Sequence, residues 1–117
     1  MPHRVLIVDD HAGFRTQARA LLESEGFLVV GEAADGHAAI LAAARLTPDV
    51  VLLDVQLPDI DGFEVAEQLT ADAGAAQVIL TSSRDGADFG SLVARCGARG
   101  FVPKGELSGA ALEALLQ

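Results

Sequence analysis

Residues 50–62 have the sequence VVLLDVQLPDIDG, and this stretch decides the class of fold. Its first four residues form a continuous apolar run, which is typical of a strand that is buried on both faces. Asp54 ends the run, and the segment from Pro58 to Gly62 predicts a turn followed by a helix from Gly62 to about Ala71. A strand that is apolar on both sides needs helices on both sides of its sheet. The stretch therefore predicts a parallel sheet of the α/β class.

The rest of the chain repeats this alternation of strand and helix. Further strands are predicted at 5–8, 27–30, 78–80 and 101–102, each followed by apolar residues at helical spacing. Gly26 is expected to stop the first helix, while Asp35 and Ser108 are expected to cap the second and the last. The predicted inner faces carry Phe14, Ala18, Leu21 and Leu22, then Ile40, Ala43 and Ala44, then Val65, Ala66 and Leu69, then Phe89, Leu92, Val93 and Cys96, then Ala111, Leu112, Leu115 and Leu116. Five such units predict a doubly wound five-stranded parallel sheet with helices on both faces.

Composition limits the function classes. The 117 residues suit a single domain, 1–117, and 17 acidic residues against 8 basic ones give a net charge of −9. That charge argues against direct binding of this chain to nucleic acid or to an anionic membrane. A single cysteine, Cys96, excludes a disulfide framework, and no apolar run reaches the length of a membrane span. We therefore expect a cytoplasmic protein in which Cys96 belongs to the core.

Polar residues gather where the predicted strands end, which is where ligands bind in such folds. Carboxylates that lie close together repel one another and need a counter-charge, and an oxygen-rich cluster suits Mg²⁺. Lys104 is the only lysine beside seven arginines, and its compact ammonium offers a point charge for phosphate. Asp9 and Asp10 are alternatively ordinary helix caps, and His11 is expected to start the first helix rather than to bind a ligand. The set of strand-end residues, which indicates an aspartyl-phosphate site, is Asp9, Asp10, Asp54, Thr81, Ser82 and Lys104.

The chain resembles the receiver domains of bacterial two-component response regulators along its whole length. The resemblance rests on four motifs in order: VLIVDD at 5–10, LLDVQLPDIDG at 52–62, LTS at 80–82 and GARGFVPK at 97–104. It implies the flavodoxin-like (βα)5 fold of receivers. Proline precedes Lys104 in this sequence, whereas in the family it often follows the lysine.

The resemblance also implies what each site residue does. Asp54 is the expected phosphoacceptor, and Lys104 is expected to pair with the phosphoryl oxygens. Asp10, Asp54 and the backbone carbonyl of Gln56 are the expected Mg²⁺ ligands, with Asp9 binding directly or through water. The switch is expected to use a hydroxyl and the Phe101 ring, and a sensor histidine kinase or phosphotransfer protein is the expected donor.

Several alternatives stay open. The local pattern of strand, hydroxyl and small residue favours Thr81 as the switch hydroxyl, while counting from Asp54 or Lys104 favours Ser82. An aspartyl-nucleophile phosphatase would need an acid at Gln56, and a receiver-like scaffold would never be phosphorylated. The chain is either free-standing or the receiver part of a longer transcription regulator. Charges near the last two helices that suit a homodimer are Asp88, Arg95, Arg99 and Glu106.

Overall fold

The computed structural model describes residues 3–71, 76–83 and 91–116, and these form one parallel five-stranded sheet with helices on both faces. The strands are β1 Arg4–Val8, β2 Leu28–Ala33, β3 Val50–Asp54, β4 Gln77–Ser82 and β5 Gly100–Pro103. The helices are α1 Ala12–Ser24, α2 Gly36–Leu46, α3 Gly62–Leu69, α4 Leu92–Arg95 and α5 Gly109–Leu115. The strand order is β2-β1-β3-β4-β5, which confirms the predicted doubly wound sheet.

The apolar strands divide the core into two layers, because alternate side chains of each strand point to opposite faces of the sheet. The first layer, here the α2–α3 core, contains Leu6, Val8, Ala33, Ala39, Ala42, Val51, Leu53, Val55, Val65, Ala66, Val78, Leu80 and Cys96. The second layer, the α1–α5 core, contains Val5, Ile7, Ala18, Leu22, Phe27, Val29, Val50, Leu52, Ile79, Val102, Leu112 and Leu116. This two-sided burial explains why β1 and β3 are continuous apolar runs rather than alternating ones.

The second strand is longer than predicted and begins one residue later. It was expected at 27–30, but β2 continues to Ala33 because it keeps pairing with β1 after a shift in register at Val5 and Leu6. Phe27 precedes the strand and is still buried in the α1–α5 core, whereas Leu28 is 48% exposed. An edge strand with one partner tolerates a glycine and a charged residue such as Glu32, which hid its continuation in the sequence.

Two of the predicted helix faces were partly wrong. In α2 the most buried positions are Ala39 and Ala42, and Ala44 is exposed, because the small alanines allow the helix to lie close to the sheet. Cys96, which directly follows α4, is buried as predicted, but Leu92 is 44% exposed. Phe89, which was predicted to begin that face, lies outside the described residues.

The predicted helix ends at Gly26, Asp35 and Ser108 are confirmed, whereas α3 ends at Leu69 and not at about Ala71. Gly26 has a φ of 94° just after α1, a left-handed conformation that favours glycine. The Asp35 carboxylate accepts a hydrogen bond from the Ala38 N–H at 2.8 Å, and the Ser108 hydroxyl accepts one from Ala111 at 3.0 Å. No helix in the part of the chain that the structure describes is long and apolar enough to span a membrane.

Candidate functional site

The carboxyl edge of the sheet brings the strand-end residues together, as expected from parallel strands. Asp9 directly follows β1, Asp54 is the last residue of β3, and Lys104 directly follows β5. Thr81 and Ser82 were predicted to follow the fourth strand, but they are its last two residues. They stay in the strand because Thr81 pairs with Asp54 and Ser82 pairs with Pro103.

A cluster of carboxylates forms the centre of this edge. Ligand atoms of Asp9, Asp10, Asp54 and His11 all lie within 4.8 Å of one another. Asp9 is fully buried and Asp54 is 3% exposed, whereas Asp10 is open to solvent. Buried carboxylates at this spacing repel one another, and carboxylate oxygens are the ligands that Mg²⁺ prefers. The donor set therefore fits Mg²⁺.

Lys104 supplies the positive charge beside these acids. Its Nζ lies 2.6 Å from Asp9 Oδ2 and 3.4 Å from Asp54 Oδ2. Burial opposes the ammonium charge, but the two carboxylates outweigh it and raise the pKa of Lys104. The same ammonium makes a cation–π contact with the Phe14 ring of α1, and its Nζ lies 4.6 Å from the ring centroid. The sequence placed Phe14 only on an apolar face, because nothing local links it to a lysine 90 residues away.

Asp54 is a buried carboxylate of the cluster, at the end of the central strand β3. Burial raises the pKa of its carboxyl, and the Gln56 N–H and the Lys104 charge partly oppose that shift. The Gln56 N–H donates to Oδ1 at 3.0 Å, so one oxygen is oriented by the backbone while Oδ2 lies on the Lys104 side. Gly62 comes close to this turn: a Cβ there would lie 2.5 Å from the Asp54 carbonyl oxygen. Glycine is therefore required beside Asp54.

The two candidate switch hydroxyls lie on opposite faces of β4. Thr81 pairs with Asp54 and lies two residues after Ile79, so its side chain is on the same face as Ile79. That face is the α1–α5 face, which Asp54 shares because it lies two residues after Leu52. Ser82 lies two residues after Leu80, so both side chains are on the α2–α3 face. Leu80 pairs with Phe101, whose ring packs against the same core. The Thr81 hydroxyl is buried and has no hydrogen-bond partner among the described residues. Ser82 thus shares a face with Phe101, whereas Thr81 shares one with Asp54.

Asp59 fixes the loop after Asp54 to α2. Its carboxylate accepts hydrogen bonds from the Gly36 N–H at 2.8 Å and the His37 N–H at 2.9 Å, and it also contacts His37 Nδ1 at 2.7 Å. Burial works to raise the pKa of Asp59, but the surrounding backbone N–H groups hold it well below its usual value. Nothing in the sequence indicates this link, since it joins a loop to the start of a helix 23 residues earlier in the chain.

Cys96 has a structural place, as expected. It is 3% exposed in the α2–α3 core, and its thiol donates to the Val93 carbonyl at 3.2 Å. Burial raises the pKa of this thiol, which disfavours the reactive thiolate.

Comparisons with known proteins agree with this geometry. The sequence model of the response regulator receiver domain matches residues 5–116. The chain is 37% identical to the response regulator GacA of Pseudomonas viridiflava over 103 aligned residues. The alignment covers 87% of this chain and 48% of GacA. The chain spans about half the length of the first curated relatives it matches.

Two solved structures are similar over nearly the whole chain. One is a LuxR-family two-component response regulator from Aurantimonas sp. SI85-9A1, with a TM-score of 0.87 and 32% identity, covering 99% of this chain and 86% of that one. The other is the CheX-CheY-BeF3-Mg²⁺ complex from Borrelia burgdorferi, with a TM-score of 0.85 and 29% identity, covering 99% and 87%.

Proposed function

Because this chain belongs to the response regulator receiver domain family, we propose that Asp54 is its phosphoacceptor and that a sensor histidine kinase or phosphotransfer protein is the donor. The chain is a receiver domain of two-component response regulators. The observation that carries the proposal is the position of Asp54. It is buried at the end of β3, with Lys104 Nζ 3.4 Å from its Oδ2 and two further aspartates beside it.

Asp10, Asp54 and the backbone carbonyl of Gln56 would hold Mg²⁺, and Asp9 would bind it directly or through water. The oxygen-rich cluster supports this assignment, and the CheY complex from Borrelia burgdorferi contains Mg²⁺ together with BeF3. When bound, the ion would neutralise negative charge on the transferring phosphoryl group.

Transfer to Asp54 follows from the charges of the chain's own residues. A carboxylate oxygen of Asp54 forms the new P–O bond while the P–N bond of the donor phosphohistidine breaks and the donor imidazole leaves. Lys104, whose Nζ lies 3.4 Å from Asp54 Oδ2, pairs with the phosphoryl oxygens. The chain thereby assists its own phosphorylation and dephosphorylation. A phosphatase-like enzyme is less favoured, because Gln56 stands where such an enzyme needs an acid.

The switch hydroxyl is assigned to Ser82, although the local sequence pattern favours Thr81. Alternation along β4 gives Ser82 the Phe101 face and Thr81 the Asp54 face, and we propose Ser82 because the hydroxyl whose movement is transmitted to the ring should lie on the ring's own face. We therefore expect Ser82→Ala to uncouple the Phe101 ring from BeF3 and Mg²⁺, while Thr81→Val leaves the coupling intact. The Phe101 ring resonances in NMR spectra measure this, and the reverse pattern would assign the switch to Thr81.

The output of the switch lies in a partner or in a further segment. The chain's net charge of −9 supports control of another protein surface rather than direct binding of this chain to nucleic acid. Cytoplasmic location follows from the proposed donor. A homodimer through the last two helices stays a prediction, since Asp88 lies outside the described residues and Arg99 and Glu106 are outside α4 and α5.

Intact-mass measurement with acetyl phosphate and Mg²⁺ tests the phosphoacceptor. The wild type should gain one phosphoryl group and Asp54→Asn none. Asp59→Asn is the matched control, because Asp59 is an aspartate of the same loop that faces α2 instead of Lys104. A gain of mass by Asp54→Asn would reject the assignment, and no gain by the wild type would favour a scaffold that is never phosphorylated.

A further inference from the structure

His11 lies at the rim of the carboxylate cluster, although the sequence presents it only as a residue that starts a helix. It is the N-cap of α1, but its side chain makes no capping hydrogen bond. The backbone N–H of His11 donates to Asp9 Oδ1 at 2.8 Å, and the imidazole ring lies beside Asp9 and Asp10. The ring is 70% exposed, so packing does not force this orientation.

The distances around the imidazole are those of hydrogen bonds or ion pairs with the two carboxylates, and they also equal the separation of neighbouring ligands of one metal ion. His11 Nδ1 lies 3.2 Å from Asp9 Oδ1 and 3.0 Å from Asp10 Oδ1. Two ligands at right angles, each about 2.1 Å from an ion, are about 3.0 Å apart. His11 Nδ1 and the Asp54 carboxylate also belong to the same set of atoms within 4.8 Å. The nitrogen thus lies close enough to the aspartate oxygens to bind an ion that they would hold.

We infer that His11 is a nitrogen ligand that extends the preference of this site from Mg²⁺ toward divalent transition ions. The inference rests on the metal site proposed above and adds a specificity-determining residue to it. Imidazole nitrogen binds Co²⁺, Ni²⁺ and Zn²⁺ well, whereas Mg²⁺ prefers oxygen and keeps its waters. His11 should therefore contribute much to the affinity for Co²⁺ and little to that for Mg²⁺.

Calorimetric titrations of the chain with Mg²⁺ and with Co²⁺ test this, using His11→Ala. Loss of a direct ligand should weaken Co²⁺ binding by more than about tenfold, while the Mg²⁺ affinity changes by less than about threefold. His37→Ala is the matched control, because His37 is also exposed and also contacts an aspartate, but lies outside the cluster. It should leave both affinities unchanged.

Pulsed electron paramagnetic resonance of the chain with Mn²⁺ gives a second measurement that detects the bound nitrogen directly and not through an affinity. It should show a directly bound nitrogen, and His11→Ala should abolish that signal. Unchanged Co²⁺ affinity in His11→Ala, or an equal loss of Mg²⁺ and Co²⁺ affinity, would overturn the inference and leave the proposed Mg²⁺ site intact. A wild type that binds neither ion would overturn both.

Discussion

Gly62→Ala is the substitution whose effect on Asp54 can be worked out most directly from the structure. The added Cβ would lie 2.5 Å from the Asp54 carbonyl oxygen and 2.6 Å from Val55 Cα. Both contacts are to backbone, so no flexible side chain can move away. The carbonyl has to move by at least about 0.5 Å to reach a tolerable separation near 3.0 Å, and overpacking of this kind costs about 1–3 kcal/mol.

The same movement should slow phosphorylation. Asp54 is oriented by hydrogen bonds of its own loop, and the Gly62 N–H donates to the Val55 carbonyl at 3.1 Å. A misplacement of about 1 Å can cost about a hundredfold in rate, so a shift of half that size should cost roughly tenfold. For a chain of this size a loss of 1–3 kcal/mol lowers the melting temperature by about 4–12 °C.

Thermal unfolding followed by circular dichroism, with the rate of mass gain from acetyl phosphate, measures both effects. Circular dichroism is needed because the chain has no tryptophan or tyrosine. Gly13→Ala is the control: a Cβ there meets nothing within 4 Å, and α1 should gain up to about 1 kcal/mol. A Gly62→Ala variant that melts and is phosphorylated like the wild type would refute the reasoning.

Two further predictions concern stability. Thr81→Val removes a buried hydroxyl that has no partner among the described residues, so it should raise the free energy of unfolding by about 1 kcal/mol. Thr70→Val is its control and should lower it, because that hydroxyl donates to the Ala66 carbonyl at 2.8 Å; equal effects in urea titrations would contradict the prediction. Because the pKa of Asp59 is lowered in the folded chain, its carboxylate adds to the free energy of unfolding. This stabilisation is complete above the unfolded-state pKa of about 3.9 and is lost as the pH falls below that value. Asp59→Asn should therefore flatten the loss of stability as pH falls below about 4, and a stability that falls as steeply with pH as the wild type's would reject this.

Much of the fold could be predicted because its signals are local. The apolar runs of β1 and β3 are complete in the sequence, and the caps at Asp35 and Ser108 act on N–H groups three residues away. The extension of β2 to Ala33 could not be predicted, because pairing with the neighbouring strand β1 decides it. The strand propensities of Gly31 and Glu32 do not reveal that pairing.

Which chemical groups lie at the carboxyl edge can be predicted from the order of strands along the chain, since residues that follow parallel strands must gather there. Asp9, Asp54 and Lys104 are such residues, and their common location was expected on that ground. The contacts at bonding distance came from the packing of the elements: Phe14 lies under the Lys104 ammonium, and His11 lies beside Asp9 and Asp10. The pairing of β4 with β3 and β5 likewise showed which face of the sheet carries Thr81 and which carries Ser82. The physical reason is that proximity along the chain specifies a turn or a strand, whereas contacts between elements depend on how those elements pack.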